Sequence, residues 1–382
     1  MLIDSTLREG AQAYGVYFTP GARRRMAMIL AAACVDEIEC GWLGQDGLAE
    51  FLGWARATLP RPEQGGPALS LWCPCREADV REAASLDVDR LSIGAPSSAA
   101  HRQKRLGLTL DEMCARVRTV VATARAGKIP YISVGLEDAS RAALPEALAV
   151  ARAALGAGAA RIRVSDTVGV LTPLSTARLV EVFVRELDVP VAFHGHNDLG
   201  MATANAVTAL ESGASFVDVS ALGLGERAGI AALEEVAAWL ALRTCASPGP
   251  VPAPVSAYDV PALRELCRVA AQAARVPLAR NKAVAGEDVF AAESGLHVHG
   301  LLRDPALFEP FAPEAVGATR RMAVGAKSGG AAVEAAIGSA LVRLRRLPGE
   351  DCRCDSGLME RVRGLAGRLG RPLTDSELLG VL

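Results

Sequence analysis

Short apolar runs that read as β-strands recur along the first 220 residues with helix-length segments between them, and this alternation limits the fold more than any other feature. The runs are Leu2–Ser5, Glu37–Cys40, Leu69–Cys73, Arg90–Ile93, Tyr131–Gly135, Arg161–Ser165, Val191–His194 and Phe216–Ser220. Strands that alternate with helices build parallel sheets, because a parallel neighbour needs a long crossover connection. Eight such units before residue 245 match the count of a closed (β/α)8 barrel, the TIM-barrel architecture. An open, doubly wound sheet is disfavoured: polar residues follow nearly every run here, whereas an open sheet gathers them at one switch point.

Local signals agree with the helix starts. Thr19-Pro20 and Thr172-Pro173 each offer an N-cap followed by proline at the first helical position, and Thr109 and Glu112 have capping-box spacing. After Arg243, the stretch Ser247-Pro248-Gly249-Pro250-Val251-Pro252-Ala253-Pro254 can be neither helix nor central strand and reads as a linker. The chain therefore divides into a barrel over 1–246, a proline-rich linker over 247–259 and a smaller, mainly helical region over 260–382, which opens with a helix over roughly Val260–Arg275.

Composition narrows the function classes. With 41 Lys+Arg against 43 Asp+Glu and no basic block, nothing asks for nucleic acid. No uncharged apolar run reaches the roughly 18 residues of a membrane span, and a strand follows Met1 at once with no leader-like segment, so a cytoplasmic protein is expected. Nine cysteines, an odd number, fit reduced thiols better than a disulfide framework. Cys73-Pro74-Cys75 and Cys352-Arg353-Cys354 lack zinc-knuckle spacing, so most cysteines read as small buried hydrophobes. Cys73 and Cys75 stand apart because they end a strand.

Barrel chemistry sits at the carboxyl ends of the strands. Those ends supply Arg8 and Glu9, Glu137 and Asp138, Asp166 and Thr167, and His194 and His196. In extended chain the side-chain period is two, so the rings of His194 and His196 leave the same face and can share one metal ion; the competing reading is of two hydrogen-bonded polar residues at a strand end. With an arginine and carboxylates converging on the same mouth, the set suits a divalent metal beside an anion clamp.

The motifs Asp4-Ser5-Thr6-Leu7-Arg8-Glu9-Gly10, Asp166-Thr167-Val168-Gly169, His194-Gly195-His196-Asn197-Asp198, Gly223-Leu224-Gly225-Glu226-Arg227-Ala228-Gly229 and Glu293-Ser294-Gly295-Leu296-His297 occur in this order. In them the chain resembles the Claisen-condensing metallolyases that include 2-isopropylmalate, citramalate and homocitrate synthases. Leu136-Glu137-Asp138-Ala139-Ser140-Arg141 and the total length resemble the nitrogen-fixation type of homocitrate synthase. The resemblance implies acetyl-CoA and a 2-oxo acid, foremost 2-oxoglutarate, as substrates. It implies one divalent ion (zinc, manganese or magnesium) held by Glu9, His194 and His196. Arg8 would polarise the keto group, Glu137 and His297 would manage the proton from the acetyl methyl, and Thr167 would bind the 2-oxo acid's carboxylate, with His101 at a position near the substrate. It also implies a homodimer whose C-terminal region reaches the partner's active site, and no leucine-responsive regulatory domain.

Three departures from the family pattern stand out. Ile230 occupies the place where isopropylmalate synthases carry a metal-ligating Asn, as it also does in lysine-pathway homocitrate synthases, and Phe308 stands where a Tyr is usual. Ser133 and Gly135 replace the Arg-x-Ser that grips the far carboxylate of 2-oxoglutarate in lysine-type enzymes. The first two leave open a non-catalytic paralogue that binds a 2-oxo acid. The glycines around Glu226 do not fit a dinucleotide fingerprint and read as a tight turn after the eighth strand, and His299 reads as structural or exposed.

Overall fold

Each of the eight apolar runs becomes a strand: β1 (Leu2–Asp4), β2 (Glu37–Trp42), β3 (Ala68–Pro74), β4 (Arg90–Pro96), β5 (Tyr131–Glu137), β6 (Arg161–Asp166), β7 (Val191–Gly195) and β8 (Phe216–Val219). All pair in parallel in sequence order, and β1 closes the ring against β8 through Leu2 opposite Val217 and Asp4 opposite Val219. The helices between and after them are α1 (Pro20–Ala32), α2 (Leu48–Thr58), α3 (Glu77–Ala83), α4 (Leu110–Ala126), α5 (Leu144–Gly156), α6 (Pro173–Glu186), α7 (Ala202–Glu211), α8 (Leu233–Leu242) and α9 (Val260–Ala274). The structure is a computed structural model that describes residues 1–242, 258–343 and 354–382.

The caps form as the spacing requires. Thr19 accepts from the Ala22 amide with Pro20 at the first helical position, Thr172 accepts from Ser175, and Thr109 and Glu112 form a reciprocal capping box. Between strands and helices lies one large apolar core that includes Leu30, Ile38, Leu71, Leu91, Val134, Ile162 and Phe183.

The chain divides at a different place from the sequence-based boundary. Two compact units run Met1–Leu278 and Ala279–Leu382, so α9 belongs to the first. The reason is burial: Leu263, Leu266, Cys267 and Ala270 form the apolar face of α9, which packs on α1 and α8. The proline-rich stretch expected as a linker lies outside the described residues, apart from Tyr258 and Asp259 at its end. The second unit holds α10 (Gly295–Arg303), α11 (Gly330–Arg343), α12 (Ser356–Leu369), α13 (Asp375–Leu379) and a two-stranded parallel pair, β9 (Ala291–Ala292) with β10 (Arg321–Met322). Its own small core joins Val324, Val333, Ile337, Leu358, Val362 and Leu378.

The barrel interior departs from the usual layers of branched aliphatic residues. Near its amino-terminal end Ile3, Ala192 and Phe216 make a small apolar plug. Beside it Glu37 accepts a two-pronged pair from Arg161 (Nη1 to Oε2 2.8 Å, Nη2 to Oε1 3.1 Å) and a further contact from Arg90 at 2.6 Å, while the Arg161 guanidinium lies 4.6 Å from the Phe216 ring centroid. Arg161 and Glu37 are fully buried, so removing one charge strands the other in a medium that cannot solvate it. Arg161→Met should therefore lower the unfolding free energy by about 3–5 kcal/mol in urea denaturation, and a loss under about 1 kcal/mol would mean that Arg90 alone satisfies Glu37.

Candidate functional site

The exit of β1 is a tight loop that turns two neighbouring residues inward together. The Ser5 carbonyl accepts from the amides of Arg8, Glu9 and Gly10, and Asp4 accepts from both the amide (3.1 Å) and hydroxyl (2.9 Å) of Thr6. The Thr6 oxygen in turn accepts from the Ala221 amide at 2.8 Å, which ties this loop to the one after β8. Arg8 and Glu9 are both buried as a result.

Glu9, His194 and His196 converge so that one donor atom from each lies within 4.8 Å of the others. The two imidazole Nε2 atoms are 3.3 Å apart, and His196 Nε2 is 3.9 Å from Glu9 Oε1. His194 Nδ1 lies 2.8 Å from Asp218 Oδ2. A carboxylate there accepts the Nδ1 proton and leaves the Nε2 lone pair facing Glu9 and His196, the arrangement that orients a metal-ligating histidine. Burial and the neighbouring His194 push His196 down to about 4, which keeps it neutral at physiological pH and able to donate a lone pair. For Glu9, burial acts to raise the pKa but is outweighed by Arg8, His194 and His196, so its carboxyl lies below the usual range. A buried set of one carboxylate and two imidazoles fits a divalent cation.

Arg8 is anchored beside this cluster. Its Nε donates to Glu39 Oε2 at 2.6 Å, its Nη1 pairs with Glu9, and the guanidinium lies 6.0 Å from the Trp72 ring centroid. Glu39 also accepts from the Ser5 hydroxyl (2.7 Å) and from Arg163 Nη1 (3.1 Å). Burial acts to raise Glu39, but Arg8 and Arg163 outweigh it and hold the carboxyl well below its ordinary value.

The turn after β8 supplies the remaining wall. A side chain at Gly225 would meet Glu9 Cγ at 2.9 Å, and one at Gly229, where φ is +82°, would meet the Gly223 carbonyl at 1.8 Å, so these glycines make the tight turn expected from the sequence. Ile230 is buried and bridges His196 through the backbone, so an apolar residue stands next to the cluster at this position.

Across the mouth, Glu137 ends β5 and pairs with Arg105 from a π-helical turn over Ala100–Arg105. Gly94 makes room for it, since a Cβ there would lie 2.6 Å from Glu137 Oε1 and 2.7 Å from Trp72. Asp138 accepts from Ser98 (2.6 Å) and from Arg141 (2.7 and 2.9 Å), and its amide donates to Thr167 Oγ1 at 2.8 Å. His101 Nε2 approaches the same carboxylate at 3.8 Å. Glu137, Thr167 and His101 are thus linked through one short segment, whereas His297 lies in the second unit. There its Nδ1 is 2.6 Å from the Ser294 hydroxyl and its ring is 4.6 Å from that of Phe308. Phe308 lies over Gly300, where a Cβ would meet the ring at 2.3 Å, and His299 is exposed.

Glu39, Asp218, Arg163 and Arg105 were not singled out from the sequence. A signal existed for two of them: Glu37-Ile38-Glu39 and Arg161-Ile162-Arg163 place like charges two apart within strand runs, hence on one face, and their signs are opposite. Cys73 and Cys75 are buried, with both thiols pushed up by desolvation, Cys75 to about 12, so they are unsuited to ligation or attack.

The match to known proteins follows this division of the chain. Residues 1–268 match the model of the HMGL-like family, and residues 284–346 match that of the homocitrate synthase post-HMGL domain. The chain belongs to the HMGL-like family. Within it, a homocitrate synthase from Frankia alni is 41% identical over 339 residues, covering 87% of this chain and 92% of that protein. A protein named 2-isopropylmalate synthase 2 from Caldanaerobacter subterraneus is 36% identical over 380 residues, covering 99% and 94%. Among solved structures, a hydroxymethylglutaryl-CoA lyase from Pseudomonas aeruginosa superposes with a TM-score of 0.60 at 22% identity, covering 71% of this chain and 91% of that one, a likeness of fold. This HMGL-like chain is accordingly a homocitrate synthase-like member of an acyltransferase family with a candidate metal centre of Glu9, His194 and His196. Among the described residues, no helix is long and apolar enough to cross a membrane.

The Asp4 link that supports the site makes stability depend on pH. Burial, against the opposing hydrogen bonds from Thr6, pushes the Asp4 carboxyl up to about 7. As pH rises, the unfolded chain releases this proton near an ordinary value of about 4 while the folded chain keeps it until about 7, so the unfolded state binds fewer protons across that window. Asp4's contribution to stability should fall as pH rises from about 4 to 7 and level off above. Denaturant titrations of Asp4→Asn and the parent should show the parent losing its relative advantage across that window; parallel curves would place the Asp4 carboxyl near its ordinary value.

Proposed function

We propose that this chain condenses acetyl-CoA with 2-oxoglutarate and hydrolyses the resulting thioester to homocitrate and CoA, in the cytoplasm and in the manner of the nitrogen-fixation type of homocitrate synthase. The observation that carries the reading is the buried Glu9, His194 and His196 cluster with the Arg8 guanidinium paired to Glu9 at the barrel mouth. Two of the relatives at more than one-third identity are named for homocitrate and isopropylmalate synthesis, which supports the reaction class and leaves 2-oxoisovalerate or pyruvate as the alternative acceptors.

Glu9, His194 and His196 would hold one zinc, manganese or magnesium ion, which when bound supplies a Lewis acid for the keto oxygen of the 2-oxo acid. The chain's own groups do the rest. Thr167 binds the carboxylate next to the keto group, with His101 close by. Glu137 accepts a proton from the acetyl methyl, a weak carbon acid that needs a positioned base, and His297 shares in that proton's transfer. The carbon left behind attacks the keto carbon; as the C–C bond forms, the carbonyl electron pair moves onto oxygen, where Arg8 donates a hydrogen bond to the developing alkoxide. Water then adds to the thioester carbonyl and CoA leaves as the thiol.

Thiol release from acetyl-CoA, measured against a panel of 2-oxo acids, should be fastest with 2-oxoglutarate and should stop on chelation of divalent ions. Release with 2-oxoisovalerate or pyruvate but not 2-oxoglutarate would move the chain to isopropylmalate or citramalate synthesis. Binding of a 2-oxo acid with no thiol release under any divalent ion would mark a non-catalytic paralogue, the reading that Ile230 and Phe308 favour.

The same proposal includes a homodimer in which the second unit, carrying His297, serves the partner's barrel. Mixing inactive Glu137→Ala chains with inactive His297→Ala chains, under conditions that let subunits exchange, should then restore activity, because one hybrid mouth holds both native residues. Mixed dimers that stay inactive would place His297 in its own subunit's site or in none.

A further inference from the structure

Arg163 stands inside the barrel one layer below the metal cluster, opposite Gly135 in the sheet register. Arg163 is 3% exposed, and its guanidinium is only partly used. Nη1 donates to Glu39 Oε1 at 3.1 Å and lies 3.2 Å from Asp218 Oδ2, the same oxygen that holds His194. Nε and Nη2 are buried and have no hydrogen-bond partner. These two N–H groups lie along one edge of the planar guanidinium, a parallel fork that takes a carboxylate in two bonds. Leaving such donors unmatched in a closed interior is unfavourable, so the site is built for a group that the protein itself does not supply.

The neighbouring positions agree. A Cβ on Gly135 would come no closer than 3.8 Å to any atom, so the glycine is not imposed by crowding and leaves open the space next to the Arg163 side chain. Ser92, on the next strand but one, also points an unpartnered buried hydroxyl inward. The fork is joined to the cluster through Asp218 and His194, and Arg163 stands two residues before Ser165, the register partner of His194, so a ligand held by its keto group at the cluster can direct a second anionic group toward the fork.

We propose that Arg163 binds the far carboxylate of a 2-oxo dicarboxylate and so selects dicarboxylate over monocarboxylate acceptors. This deepens the function proposed above and rests on it. The free edge of Arg163 takes the far carboxylate while Nη1 keeps its contacts with Glu39 and Asp218, so occupancy of the subsite leaves the supports of Arg8 and His194 in place.

The test compares Arg163→Lys and Gly135→Asp with the parent, using thiol release for kinetics and calorimetric titration of 2-oxoglutarate for binding. Lysine keeps the charge but not the fork; aspartate places a carboxylate of the chain's own next to Arg163. Each should raise the KM and Kd for 2-oxoglutarate by about thirtyfold or more, while the kcat/KM for pyruvate or 2-oxoisovalerate changes far less. Equal losses for both classes of acceptor in both variants would make Arg163 a structural residue only and overturn the inference, as would unchanged selectivity together with its loss in Arg105→Met. A parent that uses another 2-oxo dicarboxylate through Arg163 would overturn the homocitrate reading and keep this one. A parent that neither binds nor turns over any 2-oxo dicarboxylate would overturn both.

Discussion

Glu39 is the residue on which the rest of the site depends. Its carboxylate, buried in the middle of the barrel, takes Arg8 on one oxygen and Arg163 on the other, and Arg163 passes the connection to Asp218 and so to His194. A chain of alternating charges inside a low-dielectric core tolerates little displacement, since each member is costly to leave alone. Its stabilisation against an apolar barrel core is small by the same reasoning. What it provides is geometry: the Arg8 guanidinium and the His194 ring are held from below, with the functional edges of both turned toward the mouth.

The opposite wall works by looser means. Glu137 is paired with an arginine that is half exposed on a π-helical turn, and Thr167 is held through the backbone amide of Asp138. Arg227 crosses the loops by bonding Asp198 and the Thr167 carbonyl, from a backbone with φ of +56°. The wall around Glu9, His194 and His196 is therefore buried, while the wall around Glu137 and Thr167 is held by partners on more exposed loops. Within the second unit, the His297 ring lies 4.6 Å from that of Phe308, a ring without a hydroxyl that can pack against the imidazole but cannot relay a proton.

Much of this is legible in the amino-acid sequence. Period-two and helical patterning place eight strands and their helices close to where they occur, because burying a strand on both faces leaves a dense apolar run that few other structures need. His194 and His196 announce a shared face by their spacing alone, and the bracketing Thr-Pro pairs mark the helix starts because capping is local chemistry. The boundary near residue 260 was misplaced because the helix that follows has no local mark of which unit it serves; that is decided by the α1 and α8 surfaces it covers.

The amino-acid sequence by itself thus determined the barrel, the identity of the polar residues at its mouth and the family, since these depend on short-range pattern and residue type. The tertiary structure alone decided which charges meet. Glu39 lies 124 residues from Arg163, and Asp218 lies 24 from His194; no periodicity links them, and only closure of the ring brings them into contact. It likewise decided that Arg163 keeps a free edge, because whether a buried donor is satisfied depends on every atom around it and not on the strand that carries it.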